Sequence, residues 1–357
     1  MDPILTRWAD RIDAAADQGT PLRLQGGNSK DFYGNPGEGQ VLDTREYRGI
    51  VSYEPTELVI TARCGTPLIE LEAALAEKNQ CLPFEPPRFA GATVGGSVAA
   101  GLSGPRRIQA GPLRDFVLGA QLMDGRGRLM DFGGQVMKNV AGYDVSRLLA
   151  GSLGVLGLIT ELSLKVLPLP MAERTLMLPV AEQEALALVT RWRSRPLPIA
   201  ATAWRDGILW SRLAGARAAV EAACWELPGE PLDEHRANDF WSQLRDQQLD
   251  FFTGKGPLWR LAVPANTPPL NAGETLVEWS GGQRWLYSEL PPETVRALAR
   301  ERGGHATLFR RGTLADETFD EGTFAPLPEP VMALHRKLKA QFDPAGIFNP
   351  GRLYPDL

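Results

Sequence analysis

Cysteine, histidine, runs of basic residues and long apolar runs are all scarce or missing in this 357-residue chain, and each lack closes off a class of chemistry. The three cysteines, Cys64, Cys81 and Cys224, are odd in number and far apart. No C-x-x-C pair occurs, so thiolates build neither an iron–sulfur cluster nor a zinc site. They read as reduced thiols of a cytoplasmic protein. The three histidines, His235, His305 and His335, all fall in the second half of the chain. Lys and Arg number 38 against 43 Asp and Glu, a net charge of −5 with no basic run, so a nucleic-acid partner is not expected. The most apolar stretch, 151–171, is interrupted by Glu161 and Lys165 and is not expected to span a bilayer.

What remains is the balance of a soluble globular protein: 43 % apolar and 23 % charged residues. The length suggests two domains. Glycine (37) and proline (29) are plentiful, which implies many tight turns and close backbone approaches. At the N-terminus Asp2 is placed to cap a helix whose first turn holds Pro3. Leu5, Trp8, Ile12 and Ala16 share one face of it, and Gly19 ends it. It lacks the continuous apolar core of a signal peptide.

From residue 21 to 168 the pattern predicts short strands with glycine-rich corners. LVITA (58–62) is a strand, Thr66-Pro67 opens a helix through Leu68, Leu71 and Leu75, and 124–127 (DGRG) is a hairpin turn. Residues 160–166 alternate apolar and polar and form a half-buried strand, stopped by LPLP at 167–170. Beyond Pro170 strands and helices alternate in longer units. The β-α-β-β-α texture occurs twice in rough form, which fits a ferredoxin-like antiparallel sheet. A last helix over 329–341 and the tail FDPAGIFNPGRLYPDL close the chain.

Three stretches carry the chemistry. In QGGNSK (25–30) the successive N–H groups around a Gly-Gly turn can converge on an anion, with a hydroxyl from Ser29 and a charge from Lys30. It is neither the dinucleotide fingerprint nor a P-loop, and a plain polar turn would look the same. ATVGGSVAAGLSGPRR (92–107) and GYDVSRLLAGSLGVLGLIT (142–160) offer small-residue surfaces that suit either a large flat ligand or close helix–sheet packing.

Together these stretches resemble the FAD-binding domain of the vanillyl-alcohol oxidase/p-cresol methylhydroxylase family. LPFEPPR (82–88) and FDPAGIFNPGR (342–352) fit it as well, while Gly101 stands where the family usually has Asn. Within the family the likeness is nearest to the FAD-binding subunits of bacterial glycolate oxidases. They have a similar QGGNSK loop and similar strands at 259–264 (WRLAVP) and 305–310 (HATLFR). The resemblance implies an α+β fold: a two-part FAD-binding domain at 1–168, a ferredoxin-like antiparallel cap at 172–325, and a C-terminal helix and tail at 326–357 packing back on the FAD domain. It implies that Gly26, Gly27, Asn28, Ser29 and Lys30 hold the FAD pyrophosphate. Thr93, Gly95, Gly96, Ser103 and Gly104 would line the flavin and ribityl chain, and the Ile159 backbone would meet the adenine end. It implies oxidation of glycolate, a 2-hydroxy acid, in a complex with a second flavin subunit and an iron–sulfur subunit.

The chain departs from its relatives in lacking the cap motif H-x-G-D-G-N-x-H. In the family it resembles, a histidyl flavin link normally uses a histidine of the FAD domain; none occurs before residue 170, so the resemblance implies a non-covalent FAD, and no metal is expected. Oxidising a hydroxy acid needs a cation for the carboxylate and a base near the hydroxyl. Arg260, on an apolar strand, needs a partner, either a cap carboxylate or the substrate's. No general base stands out. Two other readings fit: a non-catalytic flavin-bearing or structural subunit, and a stand-alone FAD-dependent oxidase. The expected place is the cytoplasm, with peripheral membrane association through the complex.

Overall fold

The computed structural model describes residues 2–134, 144–312 and 322–357. Gly142 and Tyr143 of the third glycine-rich stretch, and most of the acidic segment after Arg311, lie outside them.

Helix α1 (Pro3–Gln18) begins where Asp2 accepts a hydrogen bond from the Ile4 N–H at 2.9 Å, and ends at Gly19 in the left-handed conformation. Its buried face is Leu5, Trp8, Ile12 and Ala15; Ala16, expected on that face, lies at its edge. Strands β1 (Leu22–Gln25) and β2 (Gln40–Asp43) form a parallel pair. Next come β3 (Ile50–Glu54), β4 (Val59–Arg63), helix α2 (Leu68–Ala76) and the short strand β5 (Gln80–Cys81). The small-residue run 92–104 is not an open loop throughout, because its centre is helix α3 (Val94–Ala100). After the short turn α4 (Arg107–Ala110) come the hairpin β6 (Val117–Met123) and β7 (Leu129–Gly133), then α5 (Val145–Leu148), β8 (Leu158–Lys165) and β9 (Leu167–Pro168). The antiparallel sheet has the order β3-β4-β8-β6-β7. One apolar core, including Leu71, Leu75, Val98, Leu122 and Leu162, joins it to α1, α2 and α3.

The cap continues with β10 (Ala172–Pro179), α6 (Glu182–Trp192), β11 (Ile199–Arg205), β12 (Ile208–Gly215), α7 (Arg217–Glu226) and β13 (Glu230–Pro231). Their sheet order, β13-β10-β12-β11, is the 4-1-3-2 order of a ferredoxin-like unit. Helix α8 (Glu234–Arg245) follows, then β14 (Leu258–Ala262), β15 (Thr275–Glu278), β16 (Gln283–Tyr287), α9 (Pro292–Arg300) and β17 (His305–Arg310). These strands run β15-β16-β14-β17, the same order read from the other end. A loop replaces the first helix of this second unit, at 263–274. The units join where β11 pairs with β15, giving one eight-stranded sheet.

Side-chain alternation along the second unit divides its two faces. Trp259, Leu261, Leu286 and Leu308 pack under Val295 and Ala299 of α9. Trp285 and Phe309 look the other way, into a cluster with Tyr33, Ala100 and Leu102 of the first domain. That contact is reinforced by a buried ion cluster. Glu85 meets Arg212 of β12 at 2.7 Å and Arg106 at 3.4 Å. Burial alone would raise the Glu85 carboxyl, but Arg212 and Arg106 offset it and hold it below the ordinary carboxylate value. Helix α10 (Glu329–Phe342) and the tail return to the first domain. Buried Lys339 donates to the carbonyls of Val155 and Phe348 and to Asp343.

Candidate functional site

The end of β1 runs into the loop 25–30, with Asn28 in the left-handed conformation at φ 57°. Among the described residues, the backbone N–H groups of Gly26, Gly27, Asn28, Ser29 and Lys30 donate to no protein acceptor. Five successive unpartnered donors along one rim make a cradle for an anion. The Lys30 ammonium stands beside the Ser29 hydroxyl (3.4 Å) and over the Phe89 ring. Burial pushes its pKa down to about 8, and a bound anion would raise it again.

From this loop a groove runs past Gly26, Gly96, Ala99 and Leu153 to Gly157, Ile159 and Cys64. A Cβ on Gly96 would meet only the Thr93 hydroxyl, at 3.1 Å, so this glycine leaves the groove open. Other glycines have a different reason. A Cβ on Gly27 would lie 1.5 Å from the Gly91 carbonyl oxygen, one on Gly95 2.7 Å from the Cys64 Cβ, and one on Gly104 2.4 Å from the Glu85 carbonyl oxygen. These three let pieces of chain touch, besides bordering cavities. Thr93 caps α3, its hydroxyl accepting from the Gly96 N–H at 3.2 Å. The Ser103 hydroxyl accepts from the Leu113 N–H at 3.0 Å, so part of its hydrogen-bonding capacity braces its own loop.

Ile159 pairs with Leu122 in the sheet and lines the far end of the groove beside Cys64. Cys64 is remote from the glycine-rich stretches in sequence, yet it packs directly against Gly95. Burial pushes its thiol up to about 12, so it stays protonated. The tail supplies residues that sequence reasoning did not assign to the site. Asn349 accepts from the Leu24 N–H (2.8 Å) and donates to the Leu153 carbonyl (2.6 Å), clamping two walls of the groove. Arg352 donates to the carbonyls of Asp31, Tyr33 and Asn35 and fixes the loop beyond Lys30. The only sequence signal for either was the FDPAGIFNPGR tail itself.

A second cavity lies between Ser103, Gly104 and the cap, and Arg260, Glu278, Gln283, Trp285 and Phe309 line its cap side. Register explains the grouping: Arg260 pairs with Trp285, which pairs with Leu276, and Glu278 pairs with Gln283. Arg260 has no carboxylate partner among the described residues, contrary to the cap ion pair that was one expectation. Its guanidinium donates to the Tyr33 hydroxyl at 3.0 Å and lies near the Tyr33 and Phe309 rings. Glu278 went unnoticed in the sequence. Its strand stops there because Trp279 and Ser280 both take left-handed backbone angles. The Trp279 indole then donates across the domain boundary to the Gly104 carbonyl at 3.0 Å. Among the described residues no group of three or more His, Cys, Asp or Glu could hold a metal ion, and none of the three histidines lines either cavity.

Comparison with known proteins places this geometry. A family model described as "FAD binding domain" matches residues 8–133. Across 96 % of this chain and 73 % of the other, the fold superposes on alkyldihydroxyacetonephosphate synthase with a TM-score of 0.68 at 15 % identity. The unpartnered donors, the glycine-opened groove and the family model define an FAD-binding protein with the α+β architecture of the vanillyl-alcohol oxidase/p-cresol methylhydroxylase type. The chain is 49 % identical over 350 residues to the glycolate oxidase subunit GlcE of Escherichia coli (strain K12), covering 98 % of this chain and 97 % of that one. It is 30 % identical over 175 residues to the glycolate oxidase subunit GlcD of Bacillus subtilis (strain 168), covering 49 % and 36 %. The chain belongs to the family of the glycolate oxidase subunit GlcE.

Proposed function

We propose that this chain is the FAD-bearing subunit of a complex that oxidises glycolate to glyoxylate, and that it passes electrons to partner subunits. The row of unpartnered N–H donors from Gly26 to Lys30 carries the flavin part of this reading. The full-length similarity to a glycolate oxidase subunit supports the rest. FAD supplies the two-electron acceptor when bound. Gly26, Gly27, Asn28 and Ser29 donate to its diphosphate, and Lys30 neutralises part of that charge. Thr93, Gly95, Gly96, Ser103 and Gly104 shape the course of the ribityl chain and flavin, and the Ile159 backbone meets the adenine end. Attachment is non-covalent, since no histidine precedes residue 170 and the Cys64 thiol is held protonated. Arg260 offers its guanidinium to the substrate carboxylate. The working domain map is 1–168 for FAD, 172–325 for the cap and 326–357 for the returning tail.

Three cysteines without a cluster motif give this chain no electron exit of its own. A second flavin subunit with the histidine motif and an iron–sulfur subunit complete the complex in this reading. No helix among the described residues is long and apolar enough to cross a membrane. A cytoplasmic complex with peripheral membrane contact through partners is the arrangement we favour. The test is sustained turnover. The purified, FAD-loaded chain alone should oxidise glycolate slowly or not at all, and co-expressed partners should restore it. Steady glycolate-dependent peroxide formation by the chain alone would replace the subunit reading with that of a stand-alone oxidase.

A further inference from the structure

We infer that Arg260 and Glu278 together form a binding site for a small 2-hydroxycarboxylate within this subunit, with Arg260 pairing the carboxylate and Glu278 accepting the hydrogen bond of the α-hydroxyl. The inference rests on the proposed function and deepens it by assigning substrate recognition to this chain's own cap.

Glu278 ends β15 and is 4 % exposed. Both hydrogen bonds to its carboxylate, from the Gln283 side-chain amide at 2.9 Å and the Trp285 indole at 2.5 Å, land on Oε2. Among the described residues Oε1 accepts none. A carboxylate held on one oxygen with the other unengaged, at the wall of a cavity, is an acceptor awaiting a donor. Arg260 lines the same cavity, and its hydrogen bond to the Tyr33 hydroxyl leaves further N–H groups for a ligand. A guanidinium and a hydrogen-bond acceptor on one wall match the two ends of a 2-hydroxy acid. Trp285 and Phe309 supply the apolar surroundings that strengthen both contacts.

The charged groups around Glu278 are Arg260 on β14 and Glu85 of the first domain, which is engaged by Arg106 and Arg212. Arg245 lines the same cavity, and Arg107 lies over the Trp279 ring next in sequence. Burial outweighs the Trp285, Gln283 and Arg260 contributions and pushes the Glu278 carboxyl up to about 7. An arriving anion raises that value and a hydrogen bond from the α-hydroxyl lowers it; the anion's effect is common to glycolate and acetate, so the preference for glycolate should grow as pH rises through about 7 and the acceptor ionises.

The experiment is anaerobic isothermal titration of glycolate and of acetate, which lacks the hydroxyl. Both are titrated onto the full FAD-loaded chain with its flavin reduced beforehand, at pH 6 and at pH 8. Wild type should bind glycolate more tightly than acetate, by a wider margin at pH 8 than at pH 6. Glu278→Gln should cut the glycolate preference at pH 8 about tenfold, the worth of one charge-assisted hydrogen bond, and remove its pH dependence. Arg260→Met should weaken both anions alike. Retention of wild-type preference and pH dependence in Glu278→Gln, or of both affinities in Arg260→Met, would overturn the site, as would failure of wild type to bind glycolate at all. Flavin content is measured on every variant. Loss of flavin from wild type would count against the proposed function itself, whereas full flavin with unchanged anion binding in the variants counts against this site alone. A thermal melt confirms that each variant is folded.

Discussion

The loop at 25–30 and the cap face around Arg260 are both suited to negative charge, but they are built from different parts of the chain. The loop uses backbone donors from five adjacent residues, so one short stretch of sequence makes the whole cradle. The cap face uses side chains from three strands, β14, β15 and β16, which only sheet register brings together. Backbone donors fixed by glycine turns suit an invariant diphosphate. Side chains with one free oxygen or a spare N–H suit a smaller ligand that must be told from its analogues. The variants below should separate these two modes.

The largest effect is expected at Gly27. A valine there must displace the Gly91 backbone as well as block the approach of a phosphate, because the Gly27 Cβ position is 1.5 Å from the Gly91 oxygen. Gly27→Val should therefore lose all FAD by absorbance at matched concentration and also lower the melting temperature. The cap face should be untouched, since its residues are placed by a separate sheet. A fully yellow Gly27→Val protein would refute the cradle. By the same non-covalent reading, acid precipitation of wild type should leave all flavin in the supernatant, and a fluorescent flavin band on a denaturing gel would refute it.

Next in size is the joint between the two regions. Glu85→Gln leaves Arg106 and Arg212 with only the more exposed Glu173 as a carboxylate partner. Removing one partner of a buried ion cluster costs about 3–5 kcal/mol, to be read from urea unfolding. Because the folded Glu85 value is depressed, its stabilisation is present above the unfolded carboxylate range and is lost as pH falls through the folded value. An unchanged midpoint would mean that the domains are held by their apolar contacts alone.

How much could be read in advance follows from the same contrast. The turn from Gly26 to Lys30 was legible because its geometry is local, although the sequence of the loop alone did not separate an anion cradle from a plain polar turn. The first β-α-β-β-α unit was legible because periodicity and turn residues mark it, whereas in the second a loop at 263–274 stands where the first helix was expected. Glu278 was not, since nothing near it in sequence shows that β16 will set Gln283 and Trp285 against one of its oxygens. Asn349 was missed for a related reason: its partners, Leu24 and Leu153, are about 325 and 196 residues away along the chain. Glycines misled in one respect. Gly95 and Gly104 look like ligand clearance in the sequence, yet a Cβ on either would first meet Cys64 or the Glu85 carbonyl.

Glu278 gives a smaller stability effect, of opposite sign to that of Glu85. Its folded value is raised to about 7 from an ordinary 4.5, so the folded protein binds more protons than the unfolded chain between those values. Stability should therefore fall by about 3 kcal/mol as pH rises from 4.5 to 7 on this account. Glu278→Gln should flatten that portion of the profile while Glu85 still dominates the acid limb. Superimposable profiles for the two proteins would show that Glu278 does not titrate in this range.

The smallest effect expected is at Lys30, and it tests whether the cradle relies on charge at all or on backbone donors alone. Without an anion, Lys30 is held down to about 8, so it is mostly charged at pH 7 and mostly neutral at pH 9. A diphosphate against the loop raises that value, because it favours the ammonium form. FAD affinity should therefore be greatest below pH 8 and weaken as pH rises through it, until the value of the complex is reached. One charge-assisted contact changes affinity by about tenfold or somewhat more. Lys30→Met should bind FAD about that much more weakly at pH 7 and show no dependence between pH 7 and 9.5. Lys30→Arg should stay tight across the range, since a guanidinium does not lose its proton there. A Lys30→Met chain with wild-type affinity and an unchanged pH profile would leave the five backbone donors, together with Ser29, as the whole of the diphosphate site.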